Sequence, residues 1–145
     1  MTDYMSREIL FRGKDLETGK WLYGSFIKTP NHAHISTSGE AFPAKVEPET
    51  ISQYTGLTDK NGVKIFEGDI VRHYCKLPVP GGEIGTDRGT IKWDSEECFF
   101  FRTSLDGKDK TISAKCEYEI IGNIYDNPEL ITVVEKSENE RNENA

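Results

Sequence analysis

His32 and His34 are the side chains in this sequence that come nearest to a metal-binding pair. Residues two apart in an extended chain point to the same face, so the two imidazoles could reach one ion. A protein metal centre needs further ligands, which His73 or a carboxylate could supply only if the fold brought them close. We therefore interpret the pair as part of a polar loop, and we predict no metal ligands and no cofactor.

Two acidic clusters and one glycine-rich stretch are the other candidates for chemistry. Glu67 and Asp69 could act as a general acid and base, but Glu-Gly-Asp before a strand is typical of a turn in which Asp69 binds local backbone. The run Asp94–Glu97 lacks the spacing of a calcium loop. Gly81–Gly85 lacks the Gly-Lys-Ser/Thr ending of a phosphate loop. We identify no catalytic residues and predict that the protein is not an enzyme.

The three cysteines are Cys75, Cys98 and Cys116, an odd number with wide spacing and no Cys-x-x-Cys. This pattern argues against a disulfide framework. Unpaired cysteines are among the most buried residues in proteins, so we expect these three to be small core side chains.

The run Phe99–Phe101 is the feature that indicates an interface. Successive residues of a strand point to opposite faces, so all three rings cannot enter one interior. If Phe99 and Phe101 fill it, Phe100 faces outward and needs a cover. We expect Phe100 to be largely buried against the N-terminal segment or against a second copy of the chain, which makes it the candidate interface residue.

Composition and charge limit the partners. The 145 residues carry a formal net charge of −7, which repels phosphate backbones and disfavours nucleic acid. A clustered stripe of Arg7, Arg12, Lys14 and Lys20 would favour nucleic acid, whereas a scattered arrangement would favour protein. No stretch approaches the ~20 apolar residues of a membrane span. We expect a cytoplasmic protein with no membrane contact.

The elements that must position these residues are short strands and turns. Arg7 to Ile27 predicts a hairpin whose second strand places Trp21 and Tyr23 on one face and Leu22 and Phe26 on the other. In the following segment, Asn61-Gly62 predicts the two central positions of a tight turn, both with positive φ. Gly68-Asp69 predicts a second bend before a strand.

The second half of the chain predicts a series of strands separated by turns. Residues 78–89 are rich in Pro and Gly and predict a long connection. The predicted strands are Asp69–Lys76, Thr90–Trp93, Cys98–Thr103, Thr111–Tyr118 and Tyr118–Tyr125, the last bent at Gly122.

These strands predict a mainly β protein. Residues 61–134 would form a small SH3-like barrel, because closing a sheet removes its exposed edges. Residues 1–60 would form a β-rich segment packed on this barrel. Residues 135–145 are highly charged and predict a disordered acidic tail.

Three segments of the chain resemble the YopX family of phage and prophage proteins. They are RGKDLETGKWLYG (Arg12 to Gly24), QYTGLTDKNGVKIFEGDIV (Gln53 to Val71) and YEIIGNIYDNPEL (Tyr118 to Leu130). The resemblance implies a small protein encoded by a phage or prophage, with a β-rich fold and no established activity. It brings no catalytic residues with it.

These observations lead to one functional hypothesis and two alternatives. The favoured hypothesis is a non-enzymatic phage or prophage accessory protein that acts through protein–protein contacts and forms a homo-oligomer or binds another protein. The first alternative is a nucleic-acid-associated phage factor, which rests on analogy with other small barrels. The second is an acidic inhibitor of a host DNA-binding protein, which rests on the negative charge.

Overall fold

The computed structural model describes residues 7–76, 80, 83–105, 107–112 and 116–131. The chain forms two compact units, the first ending at Gly56 and the second beginning at Leu57. The mainly β class is confirmed, since the described residues form two antiparallel sheets of six and five strands. The strands are β1 Phe11–Lys14, β2 Trp21–Lys28, β3 Ala33–Ser36, β4 Ala44–Val46, β5 Ser52–Thr58, β6 Lys64–Phe66, β7 Asp69–Lys76, β8 Glu83–Asp94, β9 Phe99–Ser104, β10 Asp109–Thr111 and β11 Glu117–Asn123.

The predicted N-terminal hairpin is confirmed. β1 pairs with β2 in antiparallel register, and in the turn between them the Asp15 carboxylate accepts hydrogen bonds from the backbone N–H groups of Glu17 (2.8 Å) and Thr18 (3.3 Å). The alternation along β2 is confirmed as well, because Leu22 and Phe26 pack against the core cluster while Tyr23 is exposed. The core of this unit consists of Ala33, Ile35 and Val46, with Phe11, Leu22, Phe26 and Ile51 packed against it.

The sheet of the first unit curls so that β4 returns to the end of β1. Asp15 and Val46 form an isolated antiparallel bridge. On either side of it, the N–H of Leu16 donates to the Lys45 carbonyl (3.1 Å) and the N–H of Glu47 donates to the Lys14 carbonyl (2.8 Å). A 3-10 turn at Pro48–Thr50 then leads into β5. The curl places β2, β3 and β4 around one side of the core cluster.

The turn between β5 and β6 differs from its prediction by one residue. The N–H of Gly62 donates to the Asp59 carbonyl (3.0 Å), so Lys60 and Asn61 occupy the two central positions. Gly62 follows with φ 82°, and among the described residues only Cys98 and glycines have positive φ. This is the three-residue connection in which a left-handed residue follows an ordinary turn. The prediction of two positive φ angles was wrong, and the glycine alone supplies the left-handed position.

The second unit contains an open sheet. Its strand order is β10-β9-β8-β7-β11, so β10 and β11 lie at opposite edges. The predicted SH3-like barrel is therefore wrong, since no closed barrel is present among the described residues. The core cluster consists of Ile65, Val71, Ile91 and Tyr118, with Leu57, Ile112 and Ile120 packed against it. The packing of the first unit on the second stays a prediction.

The edge of β11 is covered by a turn, which is an alternative to barrel closure. The N–H of Lys60 donates to the Tyr118 carbonyl (2.7 Å), and the N–H of Ile120 donates to the buried Asp59 carboxylate (3.1 Å). The Asn-Gly turn thus satisfies backbone groups on the outer side of β11. This explains how the sheet protects a long edge strand while remaining open.

Several strand boundaries differ from the predictions. β7 is confirmed at Asp69–Lys76, and the bend at Gly122 is confirmed as a register shift between Ile120 and Gly122. The long connection at 78–89 was wrong, because β8 begins at Glu83 and pairs with β7. The predicted strand Thr111–Tyr118 was also wrong, because β10 ends at Thr111 and β11 begins at Glu117. The predicted tail, 135–145, lies outside the described residues.

Candidate functional site

The two histidines singled out by the sequence are neighbours at the start of β3. Their ring centroids are 6.1 Å apart, and the Nδ1 atom of His34 is buried with no hydrogen-bond partner in the described part of the chain. Across the described part of the chain, no three His, Cys, Asp or Glu side chains come together in a way that could hold a metal ion. The structure therefore brings the predicted pair together but adds no third ligand from these residues.

The acidic candidates act on local backbone. Asp69 is buried, and its carboxylate accepts a hydrogen bond of 2.7 Å from the N–H of Phe66, which confirms the predicted turn role. Asp94 likewise accepts from the N–H groups of Glu96 (2.9 Å) and Glu97 (3.1 Å). In both places the carboxylate stabilises a turn by pairing with its N–H groups.

The burial predicted for the cysteines is wrong for the two whose side chains are described. Cys98 and Cys116 are exposed. Cys98 closes the turn after β8, with φ 57° and its N–H donating to the Asp94 carbonyl (2.8 Å). Its position in an exposed turn, rather than within a strand, explains the exposure. The side chain of Cys75 lies outside the described residues.

Four aromatic side chains gather where β8 turns into β9. We call this group, Trp93 with Phe99, Phe100 and Phe101, the aromatic tip. Trp93 lies opposite Phe100 in the strand register, with ring centroids 4.8 Å apart in an edge-on arrangement. Phe99 and Phe101 form a second pair at 6.2 Å. Trp93 is 43% exposed and Phe99 is 37% exposed, so both pairs reach solvent.

The three phenylalanines divide between the two faces of the sheet as predicted, but it is Phe100 that lies on the core face. Residues opposite each other in an antiparallel pair share a face, and Arg102 lies opposite Ile91, which belongs to the core cluster. Phe100 is two residues from Arg102 and therefore lies on the core face, while Phe99 and Phe101 lie on the other. Phe100 is half-buried, and its ring contacts that of Trp93. Its role in an interface stays a prediction.

The basic residues of the first unit do not form an open cationic stripe. Arg12 is buried, and its guanidinium lies 4.5 Å from the centre of the Trp21 ring. The Lys14 ammonium lies 5.4 Å from the same ring. Arg7 and Lys20 are exposed and lie outside the strands. Two of the four cations are thus engaged with one indole, and the choice between protein and nucleic acid as a partner stays a prediction.

A groove of about 460 Å³ opens in the first unit beside the β2–β3 loop. Its apolar lining consists of Phe26, Ala33, Ile51 and two prolines, Pro30 and Pro48. The polar lining comes from Lys28 and from the loop 29–32. Sequence reasoning missed this groove, because the residues that line it come from β2, β3 and the segment before β5.

A second feature that the sequence did not indicate lies on the sheet of the second unit. Arg102 is 3% exposed, and its Nε has no hydrogen-bond partner among the described residues. Its aliphatic stem lies across Gly89, where a Cβ would come within 2.5 Å of the Arg102 Cγ.

Burial, followed by the positive charges of Arg102 and Lys110, lowers the pKa of His73 below its ordinary value of 6.5. The His73 ring stacks on Tyr118 at 5.2 Å.

Comparisons with known proteins give a family and one solved structure. The family model described as YopX protein matches residues 10–132. The crystal structure of protein EF1440 from Enterococcus faecalis is similar over 87% of this chain and 99% of that chain, with 25% sequence identity and a TM-score of 0.48. No curated protein matches the chain. In the described part of the chain, no helix combines the length and apolar character needed to cross a membrane.

Proposed function

This chain belongs to the YopX family, and we propose that it is a non-enzymatic phage or prophage accessory protein that binds another protein through its aromatic tip. The phage context comes from the family resemblance. The site comes from the four aromatic side chains gathered where β8 turns into β9. The family has no established activity, so the argument rests on the chemistry of this surface.

The observation that carries the proposal is the partial exposure of large aromatic rings at one hairpin end. Trp93 and Phe99 lie on opposite faces of the hairpin and each leaves more than a third of its surface in water. Aromatic residues are enriched at the centres of protein interfaces, where they contribute most of the binding free energy. A partner that enclosed the tip would bury apolar surface from both faces at once.

The tip is also ordered before any partner binds. The Asp94 carboxylate accepts hydrogen bonds from the N–H groups of Glu96 and Glu97, and the Cys98 N–H donates to the Asp94 carbonyl. The edge-on contact between Trp93 and Phe100 restricts both rings. A surface held in one arrangement loses less conformational entropy on binding, which favours affinity.

The charge around the tip indicates the kind of partner. The turn contributes Asp94, Glu96 and Glu97, and the whole chain carries −7. Charged groups at the rim of an interface select partners of complementary potential. We therefore expect a partner with an apolar pocket bordered by Lys or Arg.

Nucleic acid is the less supported alternative. A phosphate backbone would meet the three carboxylates of the turn, and like charges disfavour association. In the first unit, Arg12 and Lys14 already contact Trp21. Inhibition of a host DNA-binding protein remains compatible with the proposal, since such a protein has basic surface.

The experiment is affinity capture of the tagged full-length chain from phage-infected or prophage-induced cells. We compare the wild type with Trp93→Ser/Phe99→Ser and with Tyr23→Ser, a matched control because Tyr23 is an aromatic residue of the other unit with 47% exposure. The proposal expects a co-purifying protein that the double variant loses and the control retains. Thermal melts must show that the double variant is folded.

Two results would overturn the proposal. One is a partner retained at the wild-type level by the folded double variant. The other is a nuclease-sensitive complex, in which nucleic acid co-purifies and digestion removes every associated protein.

A further inference from the structure

We propose that the groove beside the β2–β3 loop is a binding site for a small organic acid with an aromatic or aliphatic body. This site is separate from the aromatic tip and does not depend on the proposed function. Its volume, about 460 Å³, falls in the range of ~300–1,000 Å³ that small-molecule sites occupy. The residues that line it determine the chemistry of the ligand.

The apolar part of the groove is an opening onto the core of the first unit. Phe26 and Ile51 pack against the core cluster, and Ala33 belongs to it. Phe26 is held by Phe11, whose ring centroid is 5.7 Å away. An aliphatic or aromatic group placed here would cover apolar surface that water now contacts, which is the main source of binding free energy in such sites.

The walls of the groove are stiff. The N–H and the hydroxyl of Thr29 both donate to the His32 carbonyl, at 2.9 and 3.1 Å, and close the loop between β2 and β3. Pro30 and Pro48 have restricted backbone angles. A groove that keeps its shape without a ligand requires little ordering when the ligand binds.

The charge of the lining indicates an anionic group. Among the described residues that line the groove, Lys28 is the one with a formal charge, and none is acidic. Glu47 and Glu49 flank Pro48 in the sequence but do not line the groove. Asn31 and His32, whose side chains carry N–H donors, also line the groove. A carboxylate would receive hydrogen bonds from these groups while its apolar body contacted Phe26, Ala33 and Ile51.

Lys28 is placed to select the acid over a neutral analogue. Its Cα lies opposite Ala33 in the β2–β3 register, so its side chain shares the face that carries Phe26 and Ala33. Lys28 is exposed, which leaves its ammonium at the solvent side of the groove. The structure thus combines an apolar lining with one cation at its margin.

The test is a nuclear magnetic resonance titration of the full chain with 3-phenylpropionate. Two matched probes measure the contributions of the charge and of the ring to binding, because 3-phenylpropionamide lacks the charge and acetate lacks the ring. We expect shifts at the Ala33 and Ile51 methyl groups with 3-phenylpropionate, with a dissociation constant on the order of 1 mM for a ligand of this size. The amide and acetate should bind more weakly.

Two lysine variants test the role of charge. Lys28→Gln should weaken 3-phenylpropionate binding by about fivefold, the effect of one partly exposed ion pair, and should leave amide binding unchanged. Lys92→Gln is the control, because Lys92 is an exposed strand lysine of the other unit and should change neither.

Each opposing outcome overturns a defined part of the proposal. If 3-phenylpropionate at ten times the expected dissociation constant, on the order of 10 mM, shifts neither the Ala33 nor the Ile51 methyl signals, the site itself is overturned. Equal binding of acid and amide, with no effect of Lys28→Gln, would overturn the selection of an acid. N-acetylphenylalanine is a probe for a peptide C-terminus in place of a free organic acid. If it binds more than about tenfold tighter than 3-phenylpropionate, the groove is assigned to a peptide instead.

Discussion

Several aspartates in this chain hold turns by accepting hydrogen bonds from backbone N–H groups. Asp59, Asp69 and Asp94 each accept hydrogen bonds from N–H groups a few residues along the chain. Turns leave several N–H groups unpaired, and a short carboxylate reaches them without distorting the chain. The role of Asp69 followed from its neighbours in the sequence. The additional bond from Asp59 to Ile120, 61 residues away, required the fold.

His73 is a partly buried histidine whose pKa is lowered from its ordinary value. Burial is the largest cause of its lowered pKa, followed by the charges of Arg102 and Lys110. The folded state therefore disfavours protonation relative to the unfolded state. Stability associated with neutral His73 is fully present above the unfolded pKa of 6.5 and is lost as the pH falls through the folded pKa.

We predict that His73→Phe changes the pH dependence of stability in the acid range. Phenylalanine keeps a ring for stacking on Tyr118 and cannot be protonated. The unfolding free energy of the wild type, relative to the variant, should fall as the pH decreases below 6.5. Urea titrations at several pH values measure the unfolding free energy of each protein. Because both proteins carry the same carboxylates, their effects cancel when one free energy is subtracted from the other. A difference that stays constant with pH would contradict the prediction.

At the scale of elements, the turn between β5 and β6 has two structural roles. It reverses the chain at Lys60 and Asn61, and it covers the outer edge of β11 through Lys60 and Asp59. The Asn-Gly pair predicted the reversal correctly and its exact register incorrectly. Edge protection by a turn, in place of barrel closure, could not be read from residue types because it joins segments far apart in the chain.

We predict that Asp59→Ala destabilises the protein by ~2–4 kcal/mol, because it leaves the N–H groups of Asn61, Val63 and Ile120 without their shared acceptor. Asp94→Ala is the matched control. It removes an aspartate that also accepts backbone bonds, but in an exposed turn where water can replace them. Chemical denaturation of both variants measures the difference. Equal losses would show that the contact with β11 contributes nothing.

At the scale of the whole molecule, the described residues form a core cluster in each unit and leave aromatic surface at the tip. The cluster of the first unit centres on Ile35, and that of the second on Val71. The two pairs of the tip lie on opposite faces of β8 and β9, so substitutions on each face report on different properties. We therefore expect a substitution of Phe100 to affect folding and a substitution of Phe99 to affect the proposed contact with another molecule.

We predict that Phe100→Asp and Phe99→Asp have opposite consequences. Phe100→Asp should lower the unfolding free energy by ~2–4 kcal/mol, since it places a charge beside Trp93 on the core face. Phe99→Asp should melt near the wild type, because its ring is 37% exposed, and should lose the bound partner or the homo-oligomer.

Thermal melts and light scattering test the pair of variants. If Phe99→Asp keeps both the molecular mass of the wild type in solution and its bound partner, this face of the tip is excluded from the interface. A Phe100→Asp variant that melts like the wild type would show that the Trp93 contact contributes no stability.

The sequence by itself determined the local structure of this protein. Alternating residues specify the strands β2 and β7. Gly68-Asp69 specifies a turn, and Gly122 specifies the bend in β11. Each of these signals acts between neighbours a few residues apart. The family followed from motifs of the same local kind, and residues 10–132 match it.

Tertiary structure decided the open second sheet, the face on which Phe100 lies, the groove and the environment of His73. Each depends on which strands pair and in what register, and a shift of one residue exchanges the two faces of a strand. The sequence predicted that Phe99–Phe101 must divide between two faces, but only the pairing of Arg102 with Ile91 assigned them. The groove combines residues from β2 and β3 with Pro48 and Ile51, whose proximity is a consequence of the curled sheet.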